Sequence, residues 1–404
     1  MLQVLKKTYI PLLSLFIFAM GSGFFITLIS LAMNQMHEPP LIIGAINGVY
    51  YIGLVCGAFR IEPFISRVGH IRAFSAFAST LAVASLMHGI VYNIPLWALL
   101  RFTGGFATAG IFVVIESWLL CNCTNKTRGR VLSLYMVTFY VSESLGQLLL
   151  NLGSPNDLLL YSIVTMLCSL SVIPLSMTKT PSPKFDEPSS MRLRDIYAQT
   201  TSGFFGCFIA GMILSVTYAL FPILFSNIYH DKKIVSYFMF FLIFGSIVLQ
   251  YPVGKMSDII ERRIVLIVVC ALIIISSVAL VYFSTNFWIA ITLIVIFGGL
   301  TSTIYPICIS HSCDSLDQKD IVAGIQGLLL AYSIGAAWGP FIAPIFMHVW
   351  SGRAIFFYFT GLATILILIF AWRKSRQVSP PQEEPFQVMT QSTPIVAEFD
   401  PRAE

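Results

Sequence analysis

The chain has 404 residues, of which 57% are apolar and only 11% charged, with a net charge of +5 and a mean hydropathy of +0.83. Soluble domains carry about 25% charged residues, so a water-soluble globule is excluded and the apolar surface must face lipid. The positive balance is no sign of nucleic-acid binding, because it follows from where Lys and Arg sit relative to a membrane.

A bilayer core of about 30 Å needs roughly 20 apolar residues per helix. Twelve such stretches follow one another, at 9–33, 41–59, 72–92, 95–121, 129–151, 157–177, 202–228, 234–254, 263–283, 286–310, 321–348 and 353–373. Backbone groups in hydrocarbon must be satisfied within their own segment, which makes these helices; barrel strands would be shorter and would alternate. The expected fold is therefore all-α and integral to the membrane. The first stretch is far longer than the roughly 7–15 residues of a signal h-region, so a cleaved signal is not expected.

Of the 24 Lys and Arg residues, only Lys232, Lys233 and Arg353 fall in loops on one side, and Arg101 lies within a span. The others fall on the opposite side, which the positive-inside rule assigns to the cytoplasm together with both termini. A multi-pass protein of a bacterial inner (plasma) membrane is expected. The eight cysteines are scattered, and Cys121-Asn122-Cys123 lacks zinc spacing, so neither disulfide nor metal site is expected. Outer loops are short, which packs neighbouring helices antiparallel.

The second six spans echo the first. Gly104-Gly105-Phe106-Ala107-Thr108 in span 4 returns as Gly298-Gly299-Leu300-Thr301-Ser302 in span 10. Gly146-Gln147 in span 5 returns, at nearly the same interval, as Gly339-Pro340 in span 11. A duplicated six-span half is the plan of a solute carrier that rocks around a central site. Residues 1–178 form the first half, 179–201 a cytoplasmic connection with a basic surface helix near Met191–Asp195, and 202–373 the second half. The tail at 374–404, rich in prolines and acids, is expected to be disordered.

The loop after span 8 reads Gly254-Lys255-Met256-Ser257-Asp258-Ile259-Ile260-Glu261-Arg262-Arg263. It resembles motif A of the major facilitator superfamily. The sister loop after span 2 keeps Arg67-Val68-Gly69-His70-Ile71-Arg72 but has Glu62 and Ser66 at the Gly and Asp positions. Arg101-Phe102-Thr103-Gly104-Gly105 resembles motif B, and Glu116 with Arg128-Gly129-Arg130 resembles the family's acid and Arg-Gly-Arg relay. Gly335-Ala336-Ala337-Trp338-Gly339-Pro340 resembles the antiporter motif, which normally belongs in span 5; here span 5 reads Ser142-Glu143-Ser144-Leu145-Gly146-Gln147. The stretch Glu116–Gln147 is also similar to a bacterial branch of YcaD-like carriers. The resemblance implies a twelve-helix fold in two six-helix pseudo-repeats and an inner gate built from Glu116, Arg128, Arg130, Arg67, Asp258 and Arg262.

A charge at the bilayer centre is costly enough to need a partner or a wet cavity. Counted from the outer ends of their helices, Arg101 lies about 9 Å deep and Glu143 about 12 Å deep, which suggests an Arg101–Glu143 pair. Glu143 could accept a proton in step with solute binding, or the two could be a permanent ion pair. Glu116 sits about 22 Å from Arg101 along the helix, within range of Arg128 or Arg130, as a gate brace. His311 at the inner end of span 10 reads as an interfacial histidine facing water.

The solute site is expected near mid-membrane between the halves. Tyr135, Tyr140, Gln147, Tyr218, Tyr305, Gln326, Tyr332 and Trp338 are its candidate lining, about half of them expected to touch solute. Tyr and Trp pair an apolar face with a polar tip, suited to a small amphipathic solute. The expected protein is a secondary active transporter working by alternating access, monomeric, with no cofactor, no metal and no enzymatic activity, and with protons as the coupling ion considered. Uptake competes with efflux or antiport, and a carrier-derived sensor that binds without flux is the rival from another class.

Overall fold

The computed structural model describes residues 2–121, 123, 127–177, 199–316, 320–349, 352–376, 386, 389 and 391–400. Its long helices are α1 Leu2–Gln35, α2 Pro40–Arg60, α3 His70–Ile90, α4 Ile94–Cys121, α5 Arg128–Gln147 and α6 Leu158–Leu170 in one half. The other half holds α7 Thr201–Tyr229, α8 Lys232–Ile259, α9 Arg262–Phe283, α10 Phe287–Cys313, α11 Ile321–Val349 and α12 Ile355–Arg376. The sequence sets several of the helix starts. Pro40 opens α2, where its missing N–H costs nothing. Asp231 caps α8 by accepting from the Lys233 N–H at 2.8 Å, and Asn286 caps α10 by accepting from that of Ile289 at 3.2 Å.

Among the described residues, 11 helical stretches are long and apolar enough to cross a membrane. The remaining expected span, α5, is thinned of apolar residues by Arg128, Arg130, Ser133, Thr138, Ser142, Glu143, Ser144 and Gln147. It continues as a 3-10 turn, Leu148–Leu152, which completes its length. A polar helix in such company belongs inside the bundle, and α5 lies between α1 of its own half and α8 of the other. The expected basic surface helix near 191–195 lies outside the described residues.

The repeated glycines are where helices cross most closely. A Cβ on Gly105 of α4 would strike the Tyr50 carbonyl oxygen of α2, and one on Gly53 would strike that of Phe102. The second half repeats this: Gly298 of α10 abuts the Leu242 carbonyl of α8, and Gly245 abuts that of Val295. Gly146 of α5 rests on the Met20 carbonyl of α1, as Gly339 of α11 rests on that of Met212 in α7. Lipid supplies no hydrophobic drive between helices, so close backbone approach through small residues does the work. Gly105→Ala is expected to cost about 1–3 kcal/mol through overpacking, read as a lowered thermal-unfolding midpoint in detergent. Gly361→Ala, where the added carbon meets nothing within 4 Å, serves as the neutral control.

The bundle has a basic end, where Arg60, Arg262 and Arg373 lie, and an opposite end. The halves meet tightly near the opposite end. Asn34 donates to Asn227 at 3.0 Å, joining α1 to α7, and Asn151 donates to Ser236 at 3.2 Å. Ser236 in α8 donates to the Gln147 carbonyl at 2.8 Å, and Ser144 donates to that of Phe240 at 3.1 Å. Gly44 of α2 abuts the Pro340 carbonyl and Gly48 the Phe341 ring, both in α11.

The tail departs from the expected disorder. Residues 391–400 include a 3-10 helix, Pro394–Phe399, packed against α4, α5 and α11. Ile395, Val396, Ala397 and Phe399 are buried. Prolines and acids pointed to a solvated tail, but these interleaved apolar residues find a cleft to fill.

Candidate functional site

Between the halves lies a cavity lined from α1 by Ser22 and Gly23, from α2 by Tyr50 and Tyr51, and from α4 by Thr108 and Phe112. Tyr135, Phe139, Tyr140 and Glu143 enter from α5, Tyr218 from α7, Ser302 from α10, and Tyr332 and Ser333 from α11. Gln391 and Ser392 of the tail close it toward the basic end. Tyrosines from both halves thus surround one carboxylate. The arrangement offers ring faces, hydroxyl donors and acceptors, and a single negative charge.

Four of the eight expected lining residues are there: Tyr135, Tyr140, Tyr218 and Tyr332. The others lie elsewhere. Gln147 is buried between helices, donating to the Gly23 carbonyl at 3.1 Å. Tyr305 is buried behind Tyr332, their ring centroids 5.0 Å apart. Gln326 is half-buried in the first turns of α11, away from the lining, and Trp338 is 57% exposed beside the Phe341 ring. Sequence reasoning missed Tyr50, Tyr51 and Thr108. The adjacent tyrosines of α2 were a usable signal, since one of two neighbours on a helix can face inward while the other packs.

The expected Arg101–Glu143 pair is not formed. Arg101 is 1% exposed and turns into its own half, where Nη2 donates to Asn47 Oδ1 at 2.9 Å. Its guanidinium stacks over the Tyr50 ring at 4.4 Å, a cation–π contact that gains from desolvation. Asn47 in turn donates to Ser30 Oγ and to the Ile43 carbonyl, each at 3.0 Å, so α1, α2 and α4 are tied by one polar chain. Glu143 faces the cavity with its stem against Gly23, where an added Cβ would lie 3.0 Å from Glu143 Cγ. Among the described residues no ion pair holds Glu143.

Glu116 is buried on α4 and accepts from the Tyr135 hydroxyl at 2.7 Å. The Ser392 and Thr393 hydroxyls of the tail also donate to it, one to each carboxylate oxygen. The expected arginine brace from Arg130 is absent among the described residues, and Arg130 is exposed; Arg128 is half-buried in the first turn of α5.

At the basic end of the second half, Arg262 is buried and lies 2.9 Å from Asp314, at the end of α10, and 3.8 Å from Asp258. Asp258 also accepts from the Phe386 backbone N–H at 2.6 Å. Asp314 was missed in the sequence because its only mark is a position just past a helix end. The first copy of this loop does not repeat the clasp: Arg67 is exposed, and among the described residues it joins no ion pair. Ser66, at the acid's position, donates instead to the Pro63 carbonyl at 2.9 Å. In that loop, outside the spans, burial raises the pKa of the Glu62 carboxyl. His311 does not face water. It is buried, and its Nε2 accepts from Arg263 Nε at 3.2 Å.

Comparisons with known proteins bear on this geometry. A family model described as the Major Facilitator Superfamily matches residues 12–240 and again 203–398. The MFS-type transporter YcaD of Escherichia fergusonii is 29% identical over 357 residues, covering 88% of this chain and 92% of its own length. Its counterpart from an Escherichia coli strain is 27% identical over 345 residues, covering 85% and 89%. Among solved structures, the nucleoside transporter NupG superposes with a TM-score of 0.75 at 14% identity, over 92% of this chain and 99% of that one. A bacterial homologue of the human lysosomal transporter Spinster, inward-facing and occupied, superposes with a TM-score of 0.72 at 12% identity, over 92% and 97%.

Proposed function

The chain belongs to the Major Facilitator Superfamily, and from that premise we propose that it carries a small polar or amphipathic organic solute by alternating access, coupled to protons through Glu143. The observation that carries this reading is the central cavity, shared by both halves and lined by tyrosines around one carboxylate. Hydroxyls from Tyr51, Tyr140, Tyr218 and Tyr332 can donate to or accept from a solute, while their rings shield its apolar part. Among the described residues no arginine holds Glu143 as a carboxylate, so a proton and the solute can exchange there. The interface closed near Asn34 and Asn227 corresponds to an inward-facing form, with the basic end on the cytoplasmic side of the inner membrane. One chain supplies both walls of the cavity, which supports a monomeric carrier.

Purified protein in liposomes, screened with pooled metabolites for counterflow with and without a pH gradient, tests the proposal. Flux that ignores the pH gradient would reject the role of Glu143, and binding without flux would make the protein a sensor. Tyr218→Phe, which removes one hydroxyl and keeps the ring, is expected to weaken solute binding by about 0.5–1.5 kcal/mol. Equilibrium titration of the solute found in the screen checks it, and unchanged affinity would remove that hydroxyl from the site.

A further inference from the structure

We propose that the cleft between α4, α5 and α11 at the basic end is a binding site for the chain's own segment Gln391–Asp400, which acts as a removable plug on the solute path. The segment is built for this cleft. Ser392 and Thr393 present adjacent hydroxyls to the two oxygens of Glu116, and Tyr135 donates to the same carboxylate. Past this polar anchor the chain turns at Pro394 into a short 3-10 helix that buries Ile395, Val396 and Phe399. Gln391 and Ser392 reach furthest in and line the central cavity itself. A solute leaving toward the basic end would meet them.

A second anchor lies on the other half. The Phe386 backbone N–H donates to Asp258, and its ring covers Gly254, where a Cβ would collide with it. The tail therefore spans the two halves, from Asp258 in one to Glu116 in the other. Rocking the halves together at the basic end would narrow the cleft that holds it. A ligand that fits one conformation better than another shifts the population toward that conformation. Occupation by the tail thus favours the form with the opposite end closed and holds it unproductive. Burial of three or four apolar side chains offsets only part of the conformational entropy lost on ordering ten residues, and the hydrogen bonds to the Glu116 and Asp258 carboxylates offset much of the rest. The balance is near enough to even for the plug to leave and return.

The labelling test needs no solute, so its outcome is separate from that of the transport reading. Ala397 is fully buried, and the tail holds no native cysteine, so Ala397→Cys can be followed in the full chain by maleimide labelling and mass spectrometry of the tail. In detergent, labelling at position 397 is expected to be at least about tenfold slower than at Ser375→Cys on exposed α12, as it should be if the open state is about a tenth populated or less. Adding Phe399→Asp should restore fast labelling, and a peptide of sequence Phe386–Asp400 supplied in trans to the Ala397→Cys chain should speed labelling at position 397 by displacing the tethered segment. In liposomes the Phe399→Asp carrier should move solute several-fold faster than the parent. Equal labelling at 397 and 375 in the parent would overturn the plug. So would loss of the folded, monodisperse protein on Phe399→Asp, since the segment would then be a fixed part of the fold.

Discussion

Glu143→Gln carriers in liposomes are expected to lose their response to an imposed pH gradient, with gradient-driven flux falling by at least about tenfold, equivalent to about 1.4 kcal/mol. Glutamine keeps the shape and the hydrogen-bonding reach of the side chain but has no proton to give up. It also fits the space that Gly23 leaves, where an added carbon would lie 3.0 Å from Glu143 Cγ, so the cavity should keep its form. Solute exchange without a gradient should therefore persist. Two measurements on the same vesicles separate the cases: counterflow reads binding and rocking, and gradient-driven uptake reads coupling. An undiminished pH response in the variant would take the carboxylate out of the coupling step.

Asp314→Asn should be the most destabilising single change at the basic end. Arg262 is 2% exposed and lies 2.9 Å from this acid, whereas Asp258 stands at 3.8 Å and is 29% exposed. Removing the close partner of a buried ion pair costs about 3–5 kcal/mol, because the remaining charge stays in a low-dielectric place. Replacing both partners with apolar residues of similar volume is often neutral. Thermal unfolding in detergent should thus show a large loss for Asp314→Asn and a recovery in Arg262→Met/Asp314→Leu. If the single variant unfolds within about 0.5 kcal/mol of the parent, the pair contributes little to holding α9 against α10.

Much of the architecture was legible because lipid imposes a length and a composition on every span. Even α5, too polar to stand out, was recoverable from its place in the order and from its repeated glycine. What hydropathy and depth do not encode is direction around a helix axis. Arg101 and Glu143 do lie at similar depths, but Arg101 turns to Asn47 and Tyr50 inside its half, while Glu143 turns to the cavity. Trp338 and Tyr332 sit on one helix six residues apart, and only Tyr332 faces inward. The tail fails for a different reason. Its prolines and acids dominate any average over composition, yet its fit depends on the order Ser392-Thr393-Pro394 followed by Ile395, Val396 and Phe399.

Gly44 against Pro340 and Gly48 against Phe341 bear on how fast the carrier can cycle. When two surfaces interlock through long side chains, parting them means pulling each out of its notch and through unfavourable rotamers. At Gly44 the facing surface is peptide backbone, with no rotamer to change. Such a joint can roll open with little friction, and its two surfaces find each other again without a search. The hydrogen bonds that join the halves elsewhere at this end, from Asn34 to Asn227 and from Asn151 to Ser236, then act as latches whose number sets the barrier. The speed of turnover at the opposite end becomes a matter of how many latches the sequence installs on an otherwise smooth bearing.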